Sequence, residues 1–211
     1  MKTQKQNKAE DLLSCTSERD SQRRWDQLLR VQTGGKEAFL SAKYLPYEPT
    51  PYPVLLRLAD SGLSSPADHV LDYGCGKGRA AFLLAYRLGC RASGVDRSPK
   101  LIALAQQNLA AFPRPELVRF VCQSAERYAP ADENVFYFFN PFSEAVLKTV
   151  LMRILQSPAG KRLLFYYPSD AYLSLLEQEP RLRPSARIDC RDLFDGSDPR
   201  ETLLAYDILN A

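Results

Sequence analysis

Apolar positions along this chain keep two rhythms that alternate from residue 69 onward. Short apolar runs predict strands at about 69–73, 91–96, 117–122, 134–140 and 161–167, and between them apolar residues recurring every three or four positions predict helices at about 79–88, 99–111, 143–156 and 170–178. Strand and helix in strict alternation build a parallel sheet covered on both faces. The run V-F-Y-F-F at 135–139 is apolar at every position, as a central strand buried on both sides must be. Ser98-Pro99 supplies an N-cap and a first-turn proline, Ser143 caps the helix after the fourth strand, and Ser157-Pro158 ends it. The alternation then stops. Residues 187–194 and 201–209 both read as strands, and D-G-S-D-P-R between them leaves no room for a crossover helix, so they form an antiparallel hairpin. The predicted fold is α/β, a doubly wound, mostly parallel seven-stranded sheet with a C-terminal antiparallel hairpin and helices on both faces.

Upstream of residue 63 the pattern differs. Residues 1–16 read as a disordered leader, and Ser17 to Gln32 carries a helical pattern with Trp25, Leu28, Leu29 and Val31 on one side, stopped by Thr33-Gly34-Gly35. The Arg23/Arg24 pair fits a solvated helix face. Residues 44–53, Y-L-P-Y-E-P-T-P-Y-P, alternate proline with aromatic and polar side chains, which makes an extended, stiff segment presenting rings. A helix from about Pro53 to Ala59 follows. The organisation expected is a leader at 1–16, a helical and proline-aromatic lid at 17–62, and the sheet domain at 63–211.

Composition narrows the class. With 211 residues and 45% hydrophobic content the chain can bury one good core. It has no apolar window of about 18 residues and a polar N-terminus, so a soluble, cytoplasmic protein with no membrane role is expected. Five scattered cysteines without a C-x-x-C pair and a single histidine, His69, suggest neither a disulfide framework nor a metal site. His69 itself reads as a surface residue, and Cys75 as a small loop filler. Residues 1–36 hold eight Lys/Arg against five Asp/Glu, which accounts for the whole net charge of +3, while residues 37–211 hold twenty of each. A neutral folded core weakens the case for a nucleic-acid footprint.

The chemistry is concentrated in V-L-D-Y-G-C-G-K-G-R at 70–79. An acidic residue, Asp72, ends a strand, and Gly74, Gly76 and Gly78 alternate through the turn into a helix. Glycines there allow positive φ and close backbone approach to a ligand, and the helix start offers free N–H groups. The G-x-G-x-G spacing differs from the dinucleotide fingerprint G-x-G-x-x-G. With Asp72 two positions before the first glycine, the stretch resembles motif I of the class I S-adenosylmethionine-dependent methyltransferases, a resemblance that covers about residues 69–209 with the hairpin ending. It implies S-adenosyl-L-methionine as cofactor. R-R-W-D, Y-E-P-T-P-Y, N-P-F and F-Y-Y-P together resemble an uncharacterised bacterial branch of that class, and Y-E-P-T resembles distantly the leading segment of some protein-lysine methyltransferases.

Site residues follow from strand ends, since ligands of open parallel sheets sit beyond them. Asp96 ends the second strand, twenty-four residues after Asp72, where a carboxylate can accept both ribose hydroxyls or, alternatively, cap the next helix. Ser124-Ala125 stands where the family places the adenine edge. The fourth strand ends in Asn140-Pro141-Phe142, similar to the Asp/Asn-Pro-Pro-aromatic motif of amino-group methyltransferases but one proline short. Asn140 either lines the acceptor site and touches the cofactor or caps the next helix; Pro141 and Phe142 would wall the acceptor. Glu48 is the best-placed general base, or else an exposed loop charge. Tyr47 and Tyr52, with Tyr44, Tyr166 and Tyr167, could wall an aromatic pocket or simply pack. The function expected is methyl transfer to a small molecule or protein side-chain nitrogen; RNA methylation and a non-catalytic cofactor-binding domain are the alternatives. The sequence names neither the acceptor nor an oligomeric state.

Overall fold

The computed structural model describes residues 18–37, 42–194, 196 and 198–209; the leader at 1–16 and the start of the first helix at Ser17 lie outside them. Seven strands, β1 (His69–Tyr73), β2 (Arg91–Asp96), β3 (Val118–Cys122), β4 (Val135–Phe139), β5 (Arg162–Tyr166), β6 (Leu182–Asp189) and β7 (Thr202–Ile208), form one sheet in the order β3-β2-β1-β4-β5-β7-β6. The first five are parallel, and β7 runs antiparallel to both neighbours. The chain winds outward from β1 and returns to β4, so the strand order reverses between β1 and β4. The cleft above that reversal is where a ligand site belongs.

Helices α1 (Glu18–Leu29), α2 (Tyr52–Asp60), α3 (Arg79–Leu88) and α4 (Pro99–Ala111) cover one face, and α5 (Glu144–Ile154) and α6 (Asp170–Glu177) the other. Alternate residues of β4 serve the two cores: Val135 and Tyr137 face the first group, Phe136 and Phe138 the second. The registers Tyr73↔Phe138 and Phe138↔Phe165 line up three rings across β1, β4 and β5, stacked at 5.1 Å and 4.7 Å between centroids. Such cross-strand ring pairs stiffen the strand ends that carry the site. On the other face Trp25 of α1 stacks on Tyr52 of α2 at 5.9 Å and is almost wholly buried.

Four expectations need correction. The sixth strand lies five residues earlier than the pattern suggested, and Arg191–Leu193 is a short 3₁₀ turn. β6 is an edge strand with mostly exposed side chains, so no apolar run marks it, and Pro184 is tolerated there because an edge position need not donate to a neighbour. Ser143 occupies the N-cap of α5 without a side-chain capping bond. The first helix ends at Leu29, with Arg30 left-handed at φ 58°. His69 is buried, its Nε2 2.7 Å from Ser93 Oγ. It stands at the opposite end of the sheet from the cleft, near Asp132 and Glu133, whose carboxylates are engaged by Arg91 and Arg119. Among the described residues no helix is long and apolar enough to cross a membrane.

Candidate active site

The loop from β1 to α3 takes its shape from three left-handed glycines, Gly74, Gly76 and Gly78, at φ 75°, 53° and 91°. The N–H groups of Gly74 and Cys75 donate to Val95 O at 2.8 and 3.1 Å, clamping the loop over the end of β2. The Gly76 N–H donates to Asp96 Oδ2 at 3.0 Å, and the Ser98 N–H to Asp96 Oδ1 at 2.8 Å. Burial raises the Asp96 carboxyl above its usual range, against those two bonds. The glycines do different work. A Cβ at Gly74 would lie 2.4 Å from Pro141 Cβ and one at Gly76 2.1 Å from the Tyr47 ring, both over the cleft, whereas one at Gly78 would strike Phe120 and Phe82 where α3 packs on the sheet. Cys75 is buried, and burial pushes its thiol well up, so it is inert packing.

Beneath the loop is a cavity of about 60 Å³ whose walls include Tyr47, Asp72, Arg79, Asp96, Ala125 and Phe142. Two of these hold polar groups without a partner. The Asp72 carboxyl has no hydrogen-bond partner among the described residues, and burial, reinforced by the Asp96 charge, pushes it up to about 8. Arg79 is buried; its Nε donates to Thr33 Oγ1 at 2.8 Å and Nη1 to Thr50 O at 3.1 Å, while Nη2 has no partner. A buried carboxyl and a buried guanidinium N–H left unpaired cost free energy until a ligand meets them. A zwitterionic amino acid does so with its ammonium and carboxylate, and Asp96 retains lone pairs for a diol. The donor set therefore fits S-adenosylmethionine. The cavity itself is smaller than ligand pockets generally are, which run to about 300–1,000 Å³.

A strap, residues 42–51, is laid over the strand ends. Ser143 N–H donates to Lys43 O at 2.8 Å and Leu45 N–H to Pro141 O at 3.1 Å, joining the strap to the loop after β4. Tyr44 meets Phe142 edge-on at 6.2 Å, lies under the Arg97 guanidinium at 4.5 Å and donates to Glu126. Tyr47 OH donates to Thr33 O at 2.6 Å, and Thr50 Oγ1 lies 2.9 Å from Tyr137 OH. Glu37 and Tyr47 exchange backbone bonds at 3.1 and 3.0 Å.

A second cavity, of about 430 Å³, adjoins the first and shares Leu45, Pro46, Glu48 and Phe139 with it. Asn140 and Tyr167, one residue beyond the ends of β4 and β5, both line it and are both left-handed, at φ 40° and 53°. Non-glycine residues in that region are strained, and such strain gathers at working sites. Tyr166 OH donates to Glu201, also in the wall, and Glu48 pairs with Lys36.

The structure thus gathers Asp72, Gly74, Asp96, Ala125, Tyr47, Glu48, Pro141 and Phe142 around the first cavity, with Gly76 under Tyr47. Asn140 falls in the second cavity and not the first. Tyr52 is a correction: it is 1% exposed, its OH donates to Asp26 Oδ1 at 2.6 Å, and it walls neither cavity. Ser124 walls neither; its carbonyl accepts the Arg127 N–H in a turn. Arg79 was missed, because a single arginine in a helix gives no sign of burial. Glu201 was missed because only the β5–β7 pairing brings it to the cleft.

Residues 70–156 match the family model described as a methyltransferase domain. No curated protein sequence matches the chain. Among solved structures, an RNA methyltransferase from Salinibacter ruber in complex with S-adenosyl-L-homocysteine is similar at 21% identity and TM-score 0.61, over 78% of this chain and 95% of that one. Magnesium protoporphyrin IX methyltransferase from Synechocystis PCC 6803 with bound S-adenosylmethionine matches at 17% and 0.56, over 74% and 76%. Geranyl diphosphate C-methyltransferase from Streptomyces coelicolor A3(2) matches at 16% and 0.56, over 75% and 76%. At these identities the solved structures share the fold, while their acceptors differ from one another.

Proposed function

We propose that this class I, Rossmann-like S-adenosylmethionine-dependent methyltransferase acts on a nitrogen of a small molecule or of a protein side chain, and not on nucleic acid. The observation that carries the reading is the pair of cavities sharing one wall above the β1/β4 reversal, one holding the unpartnered Asp72 carboxyl and Arg79 Nη2 and the other free of lysine and arginine among the described residues of its lining. Bound S-adenosylmethionine supplies an electrophilic methyl group on a sulfonium. Asp72 would hold its ammonium, Arg79 its carboxylate and Asp96 its ribose hydroxyls, with Ala125 and Tyr44 at the far end. Asn140 orients the acceptor from the neighbouring cavity, and Glu48 is placed to take a proton from it. Residues 17–62 act as the lid, with the strap covering the place where the two cavities meet and keeping water from the reacting atoms; holding acceptor and methyl in line contributes several kcal/mol to a displacement reaction. We place the protein in the cytoplasm, a reading supported by four described cysteines that are all free thiols.

Nucleic-acid methyltransferases draw affinity from phosphate contacts by Lys and Arg, which this wall lacks among the described residues. Incubating the chain with methyl-tritiated cofactor and a fractionated lysate tests the reading. Label in protein or small molecules is expected; label in RNA would overturn it.

A further inference from the structure

We infer that the second cavity binds an alkylammonium group, so that the acceptor enters as a cationic amine; this rests on the methyltransferase reading above. The cavity wall combines two carboxylates, Glu48 and Glu201, with the rings of Phe139, Tyr166, Tyr167 and Phe194. Its remaining lining is Leu45, Pro46, Pro51 and the Asn140 amide, with no basic side chain among the described residues. Carboxylates beside aromatic faces attract an organic cation through charge and the ring quadrupole together, and repel phosphates and carboxylates.

Two cations already sit against residues of this wall. Lys36 pairs with Glu48 from the solvent side, its side chain 72% exposed, so an incoming ammonium can replace it at little cost. Arg200 lies over the Tyr167 ring at 4.5 Å and pairs with Asp198, which also accepts the Tyr167 hydroxyl at 2.5 Å. That arrangement already shows one face of Tyr167 holding a guanidinium. Glu201 is fixed by the hydrogen bond from Tyr166, so its charge is presented to the cavity without a flexible side chain having to be ordered on binding.

The two carboxylates divide the work. Glu201 binds the ammonium. Glu48, in the wall common to both cavities, accepts the proton the ammonium must lose before its nitrogen carries a lone pair, and passes it to solvent. Asn140, held left-handed at the end of β4, contributes its amide oxygen as a second acceptor for the amine N–H.

The test is calorimetry on the full chain loaded with S-adenosylhomocysteine, using n-butylamine, n-butanol and butyrate as probes of one length and three charges. Butylamine is expected to bind at least about tenfold more tightly than butanol, with butyrate weakest, the scale for a charge-assisted contact. Glu201→Gln keeps an acceptor for Tyr166 and removes the charge; it should erase most of that preference and leave S-adenosylhomocysteine affinity within about twofold. Should this variant fold poorly, the comparison of three probes on the wild type decides alone. A lysine-containing tetrapeptide binding more tightly than butylamine assigns the ammonium to a protein side chain; weaker binding assigns it to a free small amine. Equal affinity for butylamine and butanol, or preference for butyrate, overturns the inference while leaving the cofactor site intact. Failure to bind S-adenosylhomocysteine overturns the cofactor reading itself.

Discussion

The ring of Tyr47 rests on the bare α-carbon of Gly76, so close that a Cβ there would lie 2.1 Å from it. The glycine loop and the strap are therefore fitted to each other and not only to a ligand. Gly76→Ala adds a methyl under the ring and a side chain to a residue at φ 53°, a conformation costing an L-residue about 1–2 kcal/mol. We expect a melting temperature lowered by roughly 2–8 °C and loss of measurable S-adenosylhomocysteine binding by calorimetry. An unchanged affinity would show that strap seating and cofactor binding are independent.

Asp72 gives the free protein a pH signature. Its carboxyl titrates at about 8 when folded against 3.8 ordinarily. Between those values the folded chain keeps a proton that the unfolded chain has released, so this group makes stability fall as pH rises from about 4 to 8 and level off above. Asp72→Asn removes the dependence. It should raise the melting temperature at pH 8 by roughly 5–10 °C while weakening S-adenosylhomocysteine binding about tenfold or more. Thermal scans across pH 5–9 on both proteins check the sign.

Glu133 provides the opposite case, far from the cleft. Burial alone would raise its carboxyl, but bonds from Tyr128 at 2.6 Å, the Ala131 N–H at 2.9 Å and Arg119 at 2.8 Å outweigh it and hold the group at about 2. Its contribution is complete above 4.5 and lost as pH falls from there through 2. Glu133→Gln should cost about 2–4 kcal/mol at neutral pH, the scale for unpairing a buried charge, and flatten the acid limb of denaturation without altering S-adenosylhomocysteine affinity.

Asn140 separates strain from chemistry. Asn140→Gly suits φ 40° and should leave stability within about 1 kcal/mol, whereas Asn140→Ala does not relieve the backbone. Both remove the amide from the acceptor cavity, so turnover should fall at least about tenfold in each with cofactor affinity unchanged, which identifies an orienting role. Equal losses in kcat and cofactor binding would make the residue structural. Once an acceptor is in hand, single-turnover rates decide it.

What the sequence disclosed depended on burial. β4 and β1 are enclosed on both faces, so continuous apolar runs at 135–139 and 70–71 announced them, and the short D-G-S-D-P-R connection announced the hairpin. β6 is an exposed edge whose position is set by pairing with β7, a relation no local pattern records. In the cleft, the glycines of the loop were legible because their positive φ favours that residue type, Gly78 serving helix packing instead of the cleft, while Asp72 and Asp96 were singled out by the resemblance together with their places at strand ends. Tyr52 misled because its partner Asp26 lies in a different helix, and Arg79 was invisible because its partners Thr33 and Thr50 come from segments 46 and 29 residues away.

The main-chain bonds from Leu45 to Pro141 and from Ser143 to Lys43 join the strap to the acceptor-side loop. Lifting the strap to exchange a nucleoside breaks those bonds and removes the wall that defines the acceptor chamber. An acceptor already seated holds that wall down. On the proposed function we expect ordered binding, with the nucleoside first in and last out, and an excess of acceptor slowing the cycle by trapping spent nucleoside beneath it. Steady-state rates should then show substrate inhibition by the acceptor, uncompetitive with respect to the methyl donor.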